Sequence, residues 1–162
     1  MVDLLLDSLC QEKELKNDMM EKESPLVSVI IPVYNAENTI AECIKSVLRS
    51  LQDSDELIIV DDGSTKDDTA EIADRYAKMY PTIVKAVHQE NGGHGQAVNT
   101  GLAHATGKFF KVVDSDDWVD ARSYKKILTT LKSFVEGEEP DMVIANYVYE
   151  KEGAHHKKVM HY

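Results

Sequence analysis

The chain has 162 residues, with 18 Lys and Arg against 29 Asp and Glu, a formal net charge of −11, and 43% hydrophobic residues. These values suit one soluble globular domain with a core of its own, and so acidic a chain is a poor partner for nucleic acid, whose phosphates call for basic patches. No apolar run approaches the roughly 20 residues of a membrane-spanning helix. The opening MVDLLLDSLC lacks the basic start of a signal peptide, and Cys10 and Cys43 make no disulfide framework, so the expected location is the cytoplasm.

Residues 1–24 read as a charged, helical leader with Val2, Leu5, Leu6 and Leu9 on one face, and a single domain is expected over 25–162. Val27–Ile31 is a β-branched run that predicts a strand ended by Pro32. Ile40, Ile44, Val47, Leu48 and Leu51 then recur at helical spacing. Glu56–Val60 predicts a second strand, closed by Asp61-Asp62-Gly63, where glycine permits a turn with positive φ. Ser64 or Thr65 is expected to cap the next helix, with Asp67 or Asp68 in its first turn, and Ile72, Tyr76 and Tyr80 form its apolar stripe. Ile83–Val87 predicts a third strand. A weaker helix over 96–105 places Ala97, Val98, Gly101, Leu102 and Ala105 on one side. Phe109–Val113 predicts a fourth strand. The helix carrying Tyr124, Ile127, Leu128, Leu131 and Val135 follows, with Asp116 or Asp117 as a candidate cap, and Met142–Val148 predicts a fifth strand. Strands alternating with helices imply an α/β domain, a mostly parallel sheet flanked by helices. The near-continuous apolar character of the first two strands predicts burial on both faces.

In such a sheet ligands bind beyond the carboxyl ends of the strands. Those ends carry Pro32-Val33-Tyr34-Asn35-Ala36-Glu37, Asp61-Asp62-Gly63-Ser64-Thr65, Gln89-Glu90-Asn91-Gly92-Gly93-His94-Gly95 and Asp114-Ser115-Asp116-Asp117, all polar or glycine-rich, and they are expected to converge on one rim. Two carboxylates ~5 Å apart repel by about 3 kcal/mol at an effective dielectric of 20. The Asp114–Asp117 cluster therefore calls for a cation unless its members cap the next helix. Hard oxygen ligands suit Mg²⁺ or Mn²⁺, which takes one or two carboxylates and completes its shell with water and phosphates. Asp61 or Asp62 could accept from a base N–H or a ribose hydroxyl, or belong to a solvated turn. The glycine segment reads as a flexible loop whose N–H groups could approach phosphates, or as a plain loop. Tyr34 could stack on a base or be an ordinary tyrosine. His88, His94 and His104 lack metal-ligand spacing. His155, His156 and His161, beside Lys157 and Lys158, read as a solvated tail.

Taken together, Val27-Ser-Val-Ile-Ile-Pro-Val-Tyr-Asn35, Ile59-Val-Asp-Asp-Gly-Ser-Thr65, Asn91-Gly-Gly93 with Asn99-Thr-Gly-Leu102, and Val113-Asp-Ser-Asp-Asp-Trp118 resemble the ordered motifs of family 2 glycosyltransferases over about residues 26–150. The resemblance implies a GT-A, Rossmann-like fold, a nucleotide-diphosphate sugar (most often UDP-linked) as donor, a divalent Mn²⁺ or Mg²⁺, and transfer with inversion. It implies that Pro32 and Tyr34 contact the base, with Glu37 near the nucleoside and Asn35 among the nucleotide-sugar-binding residues. Asp62 would read the base N–H and Asp61 would support the turn, with Asn91 and Gly92 beside the nucleotide. Asp114-Ser115-Asp116 matches the family's DxD element, so Asp114 would sit near ribose and metal and Asp116 would bind the metal. Asp117 would be an extra ligand or a cap.

Two departures follow. Where family members often carry an arginine for the diphosphate this chain has Val98, leaving His94 or Gln96 to substitute. Family enzymes also continue into an acceptor-binding half that holds an acidic general base. The chain is therefore expected to be the donor-binding part, truncated before that half and inactive alone in transfer, and Glu150 and Glu152 match no family motif. By family analogy the acceptor is a polysaccharide or a lipid-linked glycan, and the full enzyme is peripheral to the inner membrane face. An apolar face left by truncation could support a homodimer. The alternatives are a nucleotide-sugar-binding scaffold that has lost catalysis, and a phospho-accepting receiver-type signalling domain. The acidic pair after the second strand, where a receiver carries it after the first, disfavours the latter.

Overall fold

A computed structural model describes residues 24–52, 54–135, 137, 140–150 and 157–161. The expected leader, Ser24 apart, lies outside the described residues. Four parallel strands, β1 (Val27–Val33), β2 (Glu56–Asp61), β3 (Val84–His88) and β4 (Phe109–Val112), form one sheet in the order β3-β2-β1-β4. The helices are α1 (Ile40–Leu48), α2 (Thr69–Met79), α3 (His94–His104) and α4 (Ala121–Val135).

Every residue of β1 and β2 is buried, as their near-continuous apolar runs imply. Because side chains alternate across a strand, Val29, Ile31, Val33, Leu57 and Ile59 face one side. There they pack with Ile40, Ile44 and Val47 of α1, Ile72 and Tyr76 of α2, and Tyr124, Leu128 and Leu131 of α4. Ile30, Ile58 and Val60 face the other side and meet Ala97 of α3. Each fully buried aliphatic side chain contributes roughly 1.5–3 kcal/mol. Gly101 lets α3 close on the sheet, since a Cβ at that position would lie 2.3 Å from Ile30 Cγ2.

Pro32 does not end β1. The strand pairs with β2 as far as Val33 opposite Asp61, whereas its ladder with β4 stops at Ile30 opposite Val112. The Val113 N–H still donates to Ile30 O at 2.9 Å. By alternation, the next donor from β1 toward β4 would be the N–H that proline lacks. Beyond this point the two strands part, at the position where the chain order reverses and α/β sheets bind ligands.

Three local expectations change. Ser64 and Thr65 do not cap α2, whose N-cap position is Asp68; they bind the β1 loop instead. The first turn of α4 is held by Asp120 Oδ1, which accepts the Ser123 N–H at 2.8 Å, and not by Asp116 or Asp117. The fifth strand does not join the parallel sheet. Only β5 (Tyr147–Tyr149) forms, antiparallel to β6 (Lys158–Met160), and Met142 and Ile144 are exposed. An apolar run becomes a strand only where a partner edge meets it, and the edge here comes from the tail read as solvated. Among the described residues no helix is long and apolar enough to cross a membrane.

Candidate functional site

Where β1 and β4 separate, a crevice of about 630 Å³ opens beneath the start of α3. Pro32, Val33 and Tyr34 come from β1 and its end. Asp62 follows β2, and Asp114, Ser115 and Asp116 follow β4. Asn91, Gly93, His94 and Ala97 complete the wall. Seven of the expected site residues, Pro32, Tyr34, Asp62, Asn91, Asp114, Ser115 and Asp116, thus meet around one space. Asn35, Glu37, Asp61 and Gly92 are not on its wall and instead hold the loops that form it.

Asp62 is buried and its carboxylate accepts three hydrogen bonds. Oδ1 accepts the Gly92 N–H at 2.8 Å and Gln89 Nε2 at 2.6 Å, and Oδ2 accepts the Gly93 N–H at 2.8 Å. Burial pushes its pKa up, but these bonds from Gly92, Gln89 and Gly93 hold it below the ordinary carboxylate value. Asn91 adds a bond from Nδ2 to the Asp62 carbonyl at 3.0 Å. The glycine segment is therefore tethered rather than loose. Gly63 contributes to the fit: its φ is +76°, and a Cβ there would lie 2.9 Å from the Asn91 nitrogen.

Asn35 sits at φ 46°, a region asparagine tolerates. Its N–H donates to Ser64 Oγ at 2.9 Å, and its Oδ1 accepts the N–H groups of Thr65 and Lys66 at 3.3 and 3.2 Å. Glu37 clasps the start of α2, with its N–H on Asp67 Oδ2 at 3.1 Å and its Oε2 accepting the Asp68 N–H at 3.0 Å. It lines a separate groove of about 390 Å³ with Asn38, Asp68, Glu71, Ile72 and Arg75. Asp61 accepts the Ser64 N–H at 3.0 Å and contacts His88 Nδ1 at 3.0 Å. The other nitrogen of His88 lies 2.9 Å from Asp74 Oδ1. Asp61 first and Asp74 second raise the His88 pKa above its ordinary value. Sequence reasoning assigned His88 no part; its register opposite Asp61 depends on the β2–β3 pairing.

The acidic loop closes the other side. The Asp114 carbonyl accepts the Asp117 N–H at 2.9 Å and the thiol of Cys43 at 3.4 Å. Burial and then the charges of Asp116 and Asp114 raise the Asp117 pKa. Burial, followed by Asp117, Asp116 and Asp114, pushes the Cys43 thiol up to about 12. The carboxylates of Asp114, Asp116 and Asp117 are oxygen donors of the kind that suits a hard cation. Among the described residues no three His, Cys, Asp or Glu side chains make a ready cage. His94 lines the crevice with Nε2 3.8 Å from Asp114 Oδ1, while Gln96 packs beside Gly92 and Val98 is half-buried.

A sequence model of the family described as glycosyl transferase family 2 matches residues 28–161. The chain is 42% identical over 130 residues to the putative glycosyltransferase EpsH of Bacillus subtilis, covering 80% of this chain and 36% of EpsH. It thus spans little more than a third of that relative. Among solved structures, Staphylococcus aureus TarS (residues 1–349) in complex with UDP-GlcNAc superposes with a TM-score of 0.59 at 31% identity, over 67% of this chain and 32% of that one. The mannosyltransferase PcManGT of Pyrobaculum calidifontis, in complex with GDP-Man and Mn²⁺, gives 0.57 at 32% identity, over 65% and 32%. With its parallel sheet, its crevice at the β1–β4 parting and these matches, the chain belongs to glycosyltransferase family 2 and carries the GT-A fold.

Proposed function

We propose that this chain is the donor-binding domain of a glycosyltransferase that takes a nucleotide-diphosphate sugar, a UDP-sugar, together with Mn²⁺ or Mg²⁺. The sugar passes with inversion to a glycan or lipid-linked acceptor. The observation that carries the reading is the convergence of four separate strand ends on one crevice, with an aromatic wall at Tyr34 and acidic groups at Asp114 and Asp116. Relatives of this fold in complex with UDP-GlcNAc and with GDP-Man support it.

In this reading the base lies against Tyr34 and Pro32, between the β1 end and the loop that Asp62 holds. The ribose and diphosphate extend toward the β4 end, where Asp114 and Asp116 would hold the cation, with Ser115 between them and Asp117 behind. The bound cation would offset the charge that develops on the leaving diphosphate. His94, which lines the crevice, would donate to the phosphate oxygens in place of the arginine, rather than Gln96. None of the crevice residues is assigned as the general base that removes the acceptor hydroxyl proton, so the chain alone is expected to turn over little. We place self-association at the exposed apolar residues Met142, Ile144 and Tyr149, and sedimentation velocity would reveal or exclude it.

The test is calorimetric titration of UDP, and of GDP as a control, with and without Mn²⁺. The reading expects Mn²⁺-dependent UDP binding, weaker GDP binding, and loss of the Mn²⁺ effect in Asp116→Ala. Absence of binding by either nucleotide would overturn it.

A further inference from the structure

We infer that His88 is a positioning residue of the crevice: its ring, bonded at both nitrogens to carboxylates, holds the stems of the two loops that frame the base, and donor binding weakens when it loses a proton. The inference rests on reading the crevice as a nucleotide-sugar site and adds a control to that site.

The geometry sets the protonation state. Nδ1 lies 3.0 Å from Asp61 Oδ2 and Nε2 lies 2.9 Å from Asp74 Oδ1. An ionised carboxylate accepts only, so both contacts hold as hydrogen bonds together only when both ring nitrogens carry hydrogen, as in an imidazolium. A neutral ring would turn a lone pair toward one of the two carboxylates. If that one were Asp61, whose side chain is only 4% exposed, little water could take the ring's place. The charges acting on the ring come from Asp61 on β2 and Asp74 on α2. Lys85, on the same strand, is drawn to Glu56 at the opposite end.

Two short chains of bonds lead from this ring to the crevice. Asp61 also accepts the Ser64 N–H, and Ser64 Oγ accepts the N–H of Asn35, the residue after Tyr34. In the other direction Gln89, next to His88, donates its backbone N–H to the Asp61 carbonyl at 3.0 Å and its side chain to Asp62. Asp62 in turn carries Gly92 and Gly93. The Asp61 and Asp74 contacts raise the His88 pKa, so the clamp is complete below the ordinary histidine value of 6.5 and is lost as pH rises through the raised value.

The experiment has two arms, each run at roughly pH 6, below the ordinary histidine value, and at roughly pH 9. The first is calorimetric binding of UDP-GlcNAc with Mg²⁺; the diphosphate diester keeps its charge over this range, unlike free UDP. The second is amide hydrogen exchange of Gly92 and Gly93, corrected for intrinsic rates. For the wild type, affinity is expected to fall about threefold to tenfold at the higher pH, as one charge-assisted contact acting through the loop is lost, with Gly92 and Gly93 protection falling in parallel. In a His94→Gln background, which removes the histidine of the crevice itself, His88→Gln should be weaker and flat in pH, and His88→Lys, which stays cationic, should recover affinity at high pH. A His88→Gln protein that keeps the pH profile of that background would overturn the inference, as would wild-type Gly92 and Gly93 protection that ignores pH. If UDP-GlcNAc binds at neither pH and UDP and GDP do not bind either, the nucleotide reading fails while the exchange arm still decides the role of His88. That arm needs only the wild-type chain, so a variant that fails to fold leaves the question decidable.

Discussion

The carboxylate of Asp62 accepts the backbone N–H of Gly93 at 2.8 Å across a separation of 31 residues. The loop that opens α3 is therefore shaped by the end of β2. Asp62→Asn would put an amide NH₂ against N–H donors and remove at least one charged bond, each worth ~1.5–3 kcal/mol. Faster amide exchange at Gly92 and Gly93 and at least a roughly tenfold loss of UDP-sugar affinity are expected. Unchanged exchange at both glycines would show that other contacts set the loop.

Asp116→Ala should separate binding from stability. The Mn²⁺ enhancement of UDP binding should disappear. Thermal stability should hold or rise by up to about 1 kcal/mol, because one of several mutually repelling exposed carboxylates is gone. The Asp117 carboxyl, raised by burial and by Asp116, should titrate closer to its ordinary value when followed by NMR. A clear drop in melting temperature would mean that Asp116 supports the loop structurally.

Gly101→Ala tests the contact between α3 and the sheet. With a Cβ 2.3 Å from Ile30 Cγ2, overpacking should cost about 1–3 kcal/mol in denaturant unfolding. Ile30→Ala opens the same space at a cost of roughly 2–5 kcal/mol. The double variant should lose less than the sum of the two, since each change relieves the other; strict additivity would place the two residues apart.

Acid should act through Glu56. Its side chain is buried at the amino end of β2, with Ser28 Oγ at 2.7 Å, the Thr106 hydroxyl at 2.9 Å, and Lys85 paired on its other oxygen. Burial would raise its pKa, but Lys85, Ser28 and Thr106 bring it from an ordinary 4.5 down to about 2. A depressed carboxyl stabilises the fold fully above its unfolded value and loses that contribution as pH falls through the folded one. The window is therefore from about 4.5 down to about 2, and the size is roughly 3 kcal/mol. Glu56→Gln should lower stability at neutral pH by an amount of this order and show a shallower decline through the acid window in pH-dependent urea unfolding.

Much of this architecture was written in local sequence. The runs at 27–31 and 56–60 are strands because apolar, mostly β-branched residues suit a sheet buried on both faces, and Phe109–Val112 forms the edge strand beside them, with Phe110 and Lys111 exposed. The residues that end them were identifiable as a site because carboxylates, glycines and an aromatic at strand ends have little structural reason to gather there. Tyr34, Asp62, Asp114 and Asp116 accordingly meet at one crevice.

The tertiary structure decided whatever depended on which strands became neighbours. Pro32 reads locally as a strand end, yet with β2 on one side the strand continues past it, and its missing N–H matters only toward β4. Asp61 and Asp62 are adjacent in sequence, but β2–β3 pairing sends one to His88 and the other to Gly92 and Gly93. Met142–Val148 has the pattern of a sheet strand, and only the arrival of Lys158–Met160 determines that part of it pairs outside the main sheet. Composition and spacing act over a few residues and so specify elements and their chemistry. Register, and the hydrogen bonds that depend on it, join residues tens of positions apart and exist only once the chain has folded.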